Sequence, residues 1–306
     1  YGDTLLYGKT LRANFALFGG LVIESVLIAD TKFNIRRDLG DPESNLQTAL
    51  QKLFPPTQEK SNPLNLKLNR LDLQRISFVQ NDSVRGQRFD VSLQSGVARI
   101  SDLDLPNKII RITSMELRSP HVRQTSTPPT PIFDLRDSLL RQLDETIVDT
   151  NATYLHIIAN SIEIIDGVFD LDNFRKDPID ESDISAVDFA RLGTRNIDLE
   201  LTEVDFYKAV FTGKLKHLSL EEKSGFILDR LSVQDLKITP TLLQLYDLKL
   251  ETAESSLSDS LRFRFREGWN SWSEFNDKVI LDCLLFTSDA ADVLVRLASG
   301  ARVHSP

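Results

Sequence analysis

The chain has 306 residues, 41% hydrophobic and 26% charged, with a net charge of −9. This is the composition of a folded chain rather than a disordered one, and its interleaved, net-acidic charge excludes the basic stripe that nucleic acid requires and simple electrostatic docking on anionic headgroups. A single cysteine, Cys283, excludes an internal disulfide.

In chain order, the opening Tyr1-Gly2-Asp3 carries no start methionine and reads as mid-protein sequence. The most apolar stretch, residues 15–29, is too short to span a bilayer and contains Glu24. Residues 44–54 carry Leu46, Ala49, Leu50 and Leu53 at helical spacing, and Pro55-Pro56 ends that helix. Leu64, Leu66 and Leu68 then alternate with Asn65, Lys67 and Asn69, which predicts a strand with one apolar face. After Leu68 the apolar positions move to Leu71 and Leu73, a slip that fits a β-bulge and a strong local twist. Turn signals stand at Asn81-Asp82, Pro106-Asn107 and Asp166-Gly167. Residues 125–131 form a Thr/Pro-rich loop, and residues 137–145 a second short helix with Leu139, Leu140 and Leu143. Alternation returns at Ile197, Leu199 and Leu201, at Leu248 and Leu250, and at Phe263 and Phe265. Runs of this kind usually form antiparallel sheets with one wet face, and roughly twenty of them are legible.

The chain also repeats. Ile112-Thr-Ser-Met-Glu-Leu117 matches Ile23-Glu-Ser-Val-Leu-Ile28, and Ile162-Glu-Ile-Ile-Asp-Gly-Val-Phe169 matches Leu71-Asp-Leu-Gln-Arg-Ile-Ser-Phe78. Each offset is about 90 residues, as is that between the two helices, so units near residues 20–110 and 111–282 are expected to stack along one axis.

No chemistry stands out. His121, His156, His217 and His304 lack a second histidine or cysteine at metal-ligand spacing. His156 reads as a half-exposed sheet residue, and His121, beside Pro120, as a loop residue. Gly19-Gly20 and Gly225 lack the spacing that wraps a phosphate, and the acidic run at residues 177–183 lacks the central glycine of a calcium loop. Arg262, Arg264 and Arg266 read as a solvated face opposite Phe263 and Phe265. Catalytic, cofactor and metal-binding residues are therefore expected to be none, and the chain is expected not to be an enzyme.

A one-sided sheet must bury its apolar face, and two short helices cannot cover so many strands. The sheet either closes on itself as a sandwich or solenoid, or curls into a U-shaped trough that holds something apolar. At about 4.8 Å per strand, twenty strands would make a trough of about 90 Å. The expected lining is Leu64, Leu66, Leu68, Ile197, Leu199, Leu201, Leu248, Leu250, Phe263 and Phe265. A phospholipid with about thirty methylenes meets a barrier above ~20 kcal/mol in crossing water, and such a lining would remove most of it.

Residues 187–206, with Ile197-Asp-Leu-Glu-Leu-Thr-Glu-Val-Asp-Phe206, then Leu215-Lys-His-Leu-Ser-Leu-Glu-Glu-Lys-Ser-Gly-Phe226 and Leu248-Lys-Leu-Glu-Thr-Ala-Glu-Ser-Ser-Leu257, resemble the amino-terminal half of TamB-like proteins. These stand with the AsmA-like group of the Gram-negative envelope, and the phrasing is closest to the Bacteroidetes branch. The resemblance covers roughly residues 5–280. It implies a β-taco groove, an inner-membrane anchor upstream, and a periplasmic body reaching the outer membrane. It implies phospholipid transport between the two membranes or, alternatively, a scaffold for outer-membrane protein assembly. The barrel partner, of the TamA/BamA type, would be met through a carboxy-terminal region outside this sequence. No catalytic residue, cofactor or nucleic-acid partner carries over. The run Cys283-Leu-Leu-Phe-Thr-Ser-Asp-Ala-Ala-Asp292 departs from the pattern and resembles translated adapter read-through at the ends of metagenomic reading frames. Residues 283–306 are therefore expected to be a non-native tail on a groove fragment of residues 1–282.

Overall fold

The computed structural model describes residues 5–17, 21–41, 43–46, 48–49, 67–104, 107–128, 154–176, 187–188, 190–265 and 279–283. Thirteen strands run through them: β1 (Leu6–Leu17), β2 (Leu21–Arg37), β3 (Lys67–Asp82), β4 (Gln87–Asp104), β5 (Ile109–Ser126), β6 (His156–Asn173), β7 (Gly193–Tyr207), β8 (Val210–Glu222), β9 (Ile227–Leu228), β10 (Arg230–Thr239), β11 (Leu242–Glu251), β12 (Ser256–Phe265) and β13 (Val279–Cys283). They form one open sheet in chain order, with the two-residue β9 off the path beside β8. Among the described elements each strand packs on its hydrogen-bonded neighbours and on little else. The protein is mainly β, and the long twisted sheet is not closed into a barrel.

The sheet is mixed where the alternation alone predicts an antiparallel one. β2 pairs with β3, and β5 with β6, in parallel; the other neighbours are antiparallel. A parallel pair needs a crossover of a dozen or more residues, and both crossovers contain a stretch with helical spacing. In the first, Asn45, Leu46, Thr48 and Ala49 are helical, and Thr48 N donates to Ser44 O at 3.0 Å. Asn45 ties this turn to β2: its Oδ1 accepts from Arg36 N and its Nδ2 donates to Asn34 O, both at 2.9 Å. The rest of that helix, all of the helix predicted at residues 137–145, Leu64, Leu66 and residues 284–306 lie outside the described residues. Cys283 is the last residue of β13, opposite Leu261.

Strands are fewer and longer than the roughly twenty runs, because several predicted breaks lie inside strands. Asp166-Gly167 sits within β6, and His121 sits within β5 rather than in a loop. Twelve strands on the path give a sheet roughly 55 Å long instead of about 90 Å.

The breaks are bulges, and they line up. Asp30, Arg75, Ser119, Asp166 and Asn196, in β2, β3, β5, β6 and β7, all take left-handed φ between +47° and +55°. A second line runs parallel to the first. It is marked by Glu203 (φ 53°) and Asp247 (φ 49°), and by register shifts at Asn14/Phe15, Arg99/Ile100, Thr202/Asp205, Val233/Leu236 and Leu245/Leu248. A left-handed residue costs about 1–2 kcal/mol, so such alignment reflects a requirement of the fold. Bulges bend their strands, and two aligned bends divide the sheet into a floor and two walls. The registers also match between the parallel pairs: Val26↔Leu71, Ile28↔Leu73 and Phe33↔Phe78 in the first recur about 90 residues on as Met115↔Ile162, Leu117↔Ile164 and Val122↔Phe169.

Candidate functional site: a concave apolar face

Between the two lines of bulges each strand from β1 to β8 contributes two positions, and cross-strand partners continue from strand to strand without interruption. One row joins Ala13 to Val26, Leu71, Ala98, Met115 and Ile162, then passes to Leu201, Leu215, Val233 and Leu248. The other joins Leu11 to Ile28, Leu73, Gly96, Leu117 and Ile164, then Leu199 and Leu218. The first row carries no charged residue from β1 to β11, and the second none from β1 to β8. In β12 the first meets Asp259, opposite Leu248.

The burial pattern gives the direction of the bends. Just beyond the second line, Ile112, Ala159 and Val204 are 7%, 1% and 3% exposed. They pack with Met115, Ile162 and Leu201 of the floor and with Ile110, Ile157 and Phe211 of the wall. Beside the first line, Thr31 and Leu93 are also buried. Side chains in the inner angle of a bend are crowded from both facets, so the sheet is concave towards its apolar side. The floor residues beside both lines, such as Leu73, Leu117, Ile164 and Leu199 at the first and Met115, Ile162 and Leu201 at the second, remain only half-buried. Gly96 fits among them because a Cβ there would stand 3.0 Å from Leu117 and 3.1 Å from Leu93.

The sequence-predicted lining falls on this face where it is described. Leu68 pairs with Ile23, Ile197 with Gly167, Leu199 with Ile164, Leu201 with Ile162, and Leu250 with Leu231 and Leu257. Leu248, with Val233, Leu215 and Leu261, forms the tightest cluster of the face, and Phe263 packs against it. Phe265 pairs with Val279 and is 3% exposed. Met115, Ile162, Val233 and Leu215 are not among the lining expected from the sequence, although the first, second and fourth stand in the motifs quoted above.

The opposite face is charged and locally neutralised. Arg75 Nε donates to Asp30 Oδ1 at 2.6 Å, clamping two bulges together and holding the Asp30 carboxyl below its usual range. Ser119 Oγ donates to Asp166 Oδ2 at 3.0 Å at the equivalent place in the second parallel pair. Arg70–Asp72, Arg88–Asp90 and Arg118–Glu116 pair along single strands. Burial pushes the Asp170 carboxyl up, but hydrogen bonds from His121 and Arg123 outweigh it and leave the group below its ordinary value.

At one rim, β7 and β8 join through Lys208 and Ala209, both left-handed at φ 49° and 60°. Two-residue hairpin turns of this kind prefer Asn-Gly. Tyr154, Leu155, Phe206 and Tyr207 are exposed around this turn. Among the described residues no group of His, Cys, Asp and Glu could hold a metal ion, and no helix is long and apolar enough to cross a membrane. No protein-family model matches the chain, and no curated protein matches it.

Proposed function

We propose that the chain is part of a TamB-like envelope protein whose apolar trough conducts phospholipid acyl chains between the inner and outer membranes, without catalysis. The observation that carries this reading is the uncharged floor on the concave side of a sheet that no described element covers, largely half-exposed from β1 to β7 and closed by its own packing at Leu215, Val233 and Leu248. A methylene moved from water onto such a surface gains up to about 0.8 kcal/mol, and the half-exposed floor positions Val26, Leu71, Met115, Ile162 and Leu201 offer a similar gain from strand to strand. An acyl chain can then slide without a deep trap. In this reading the protein is periplasmic, anchored in the inner membrane upstream and meeting an outer-membrane barrel of the TamA/BamA type downstream of this segment.

A photo-crosslinking residue at Leu199, on the floor, is expected to capture phospholipid, and one at the neighbouring Glu200, on the charged face, is not. Equal capture at both positions would overturn the conduit.

A second reading, a scaffold for outer-membrane protein assembly, draws on β1. Among the described strands, β1 stands at one end of the sheet order and leaves Leu6, Leu11 and Phe15 55%, 74% and 57% exposed. An exposed edge can take up a client strand by main-chain pairing. Crosslinkers along β1 that captured barrel precursors would favour it, and recovery of lipid alone would count against it.

A further inference from the structure

We propose that Tyr154 and Tyr207 form a two-walled aromatic site for an alkylammonium group, occupied in this structure by the chain's own Lys208. Tyr207 ends β7 opposite His156, the first residue of β6, and Tyr154 lies two residues before it. Lys208 Nζ is 5.4 Å from the Tyr154 ring centre and 5.3 Å from that of Tyr207. Both distances fall within the reach of a cation–π contact, about 6 Å. Among the described residues no carboxylate pairs with Lys208. The walls are braced from behind: Tyr207 leans on the His156 ring at 5.0 Å, and His156 Nε2 lies 3.1 Å from both Asp205 oxygens. The rings are nonetheless open, at 43% exposure for Tyr154 and 38% for Tyr207.

An internal lysine is a weak occupant. Its ammonium is strongly hydrated and sits on a flexible stem, and here it reaches the rings from a turn of two left-handed residues. A ligand ammonium, quaternary or primary, can take its place on the same ring faces. Position suggests the rest of the ligand. Phe206, next in sequence to Tyr207, pairs with Ile157 and Phe211 at the end of the apolar wall. An amphiphile whose tails lie on that wall therefore brings its headgroup over the rim to the tyrosines. The shared chemistry is an alkylammonium, and where the conduit reading holds, the headgroup class is ethanolamine or choline.

The test titrates the purified chain with tetramethylammonium and follows the ring resonances of Tyr154 and Tyr207. Saturable shifts are expected. Lys208→Ala should tighten binding about fivefold by removing the competing cation. Tyr207→Leu should abolish binding and Tyr207→Phe should retain it, which separates loss of the ring face from loss of the fold. Shifts of the same size from an uncharged isostere of tetramethylammonium, or no gain in Lys208→Ala, would overturn the site. Phosphocholine and vesicles of phosphatidylethanolamine with phosphatidylglycerol, compared with phosphatidylglycerol alone, distinguish a free ligand from a lipid headgroup. Loss of ammonium binding with lipid capture at Leu199 intact would sink this site and leave the conduit standing; the opposite result would do the reverse.

Discussion

Replacing Leu248 by alanine and, separately, Leu199 by alanine distinguishes a trough from a sealed core. Leu248 is 2% exposed and packs among Val233, Leu215, Leu245 and Leu261. Its truncation removes three buried carbons, worth about 2.4 kcal/mol of transfer, and leaves a cavity that raises the cost to about 3–4 kcal/mol. Leu199 lies on the floor and is only half-buried, so the same truncation should cost about 1.2 kcal/mol, half the transfer term with no closed cavity to add. Because the strands pack mainly on their neighbours, the sheet is expected to open in sections. Urea unfolding should therefore be read together with amide exchange in β7 and β11. Leu248→Ala should speed exchange in β10, β11 and β12 far more than Leu199→Ala does in β6, β7 and β8. Equal costs at the two sites would mean that Leu199 is covered as completely as Leu248, and the open trough would be refuted.

Three further substitutions address local features. Gly86 has φ +61°, and a Cβ there would stand 2.5 Å from Thr127 O, so Gly86→Ala should lower stability by about 2–3 kcal/mol in a thermal melt. Ala209 has φ +60° in the β7–β8 turn, so Ala209→Gly should raise stability by about 0.5–1 kcal/mol, the strain relieved less the added freedom of the unfolded chain. Asp170 is held below its ordinary value when folded. Its contribution is therefore present above the unfolded value, about 3.9, and is lost as pH falls through the depressed folded value. Wild type and Asp170→Asn should differ in melting temperature at neutral pH and converge in acid, and a gap that persisted at pH 2 would contradict the assignment.

The apolar face was legible because a period of two is a direct consequence of the pleat, and Leu199, Leu201, Leu248 and Leu250 announce it. The repeat was legible for a related reason, since the matched residues are those that meet across the parallel pairs. The strand count was not. The slip between Leu68 and Leu71 reads as a bulge, whereas Asp166-Gly167, which also lies inside a strand, reads as a turn. The distinction depends on whether a neighbour slips at the same level, and that information is spread over residues far apart in the chain. Parallel pairing was hidden for a similar reason: residues 38–66 are long enough to cross over, but length alone does not say which edge the next strand joins. The tyrosine rim lay outside any motif, because Tyr154 and Lys208 meet only through the pairing of His156 with Tyr207.

The two lines of bulges explain why the face is continuous. Strands that bent at unrelated heights would twist the sheet apart, and each apolar row would end at the first mismatch. Here the bends keep the same height across both parallel pairs, Asp30 beside Arg75 and Ser119 beside Asp166, because the cross-strand registers on either side of them are the same. The polar face enforces this by hydrogen-bonding bulge to bulge. Charge on the outside thus fixes the level at which the inside turns. Removing the Arg75 side chain should loosen the bend between β2 and β3 without touching a single floor residue. Crosslinking across the floor there, between positions 28 and 73, would report the loss as a broader distance distribution, and an unchanged distribution would show that backbone register alone holds the bend.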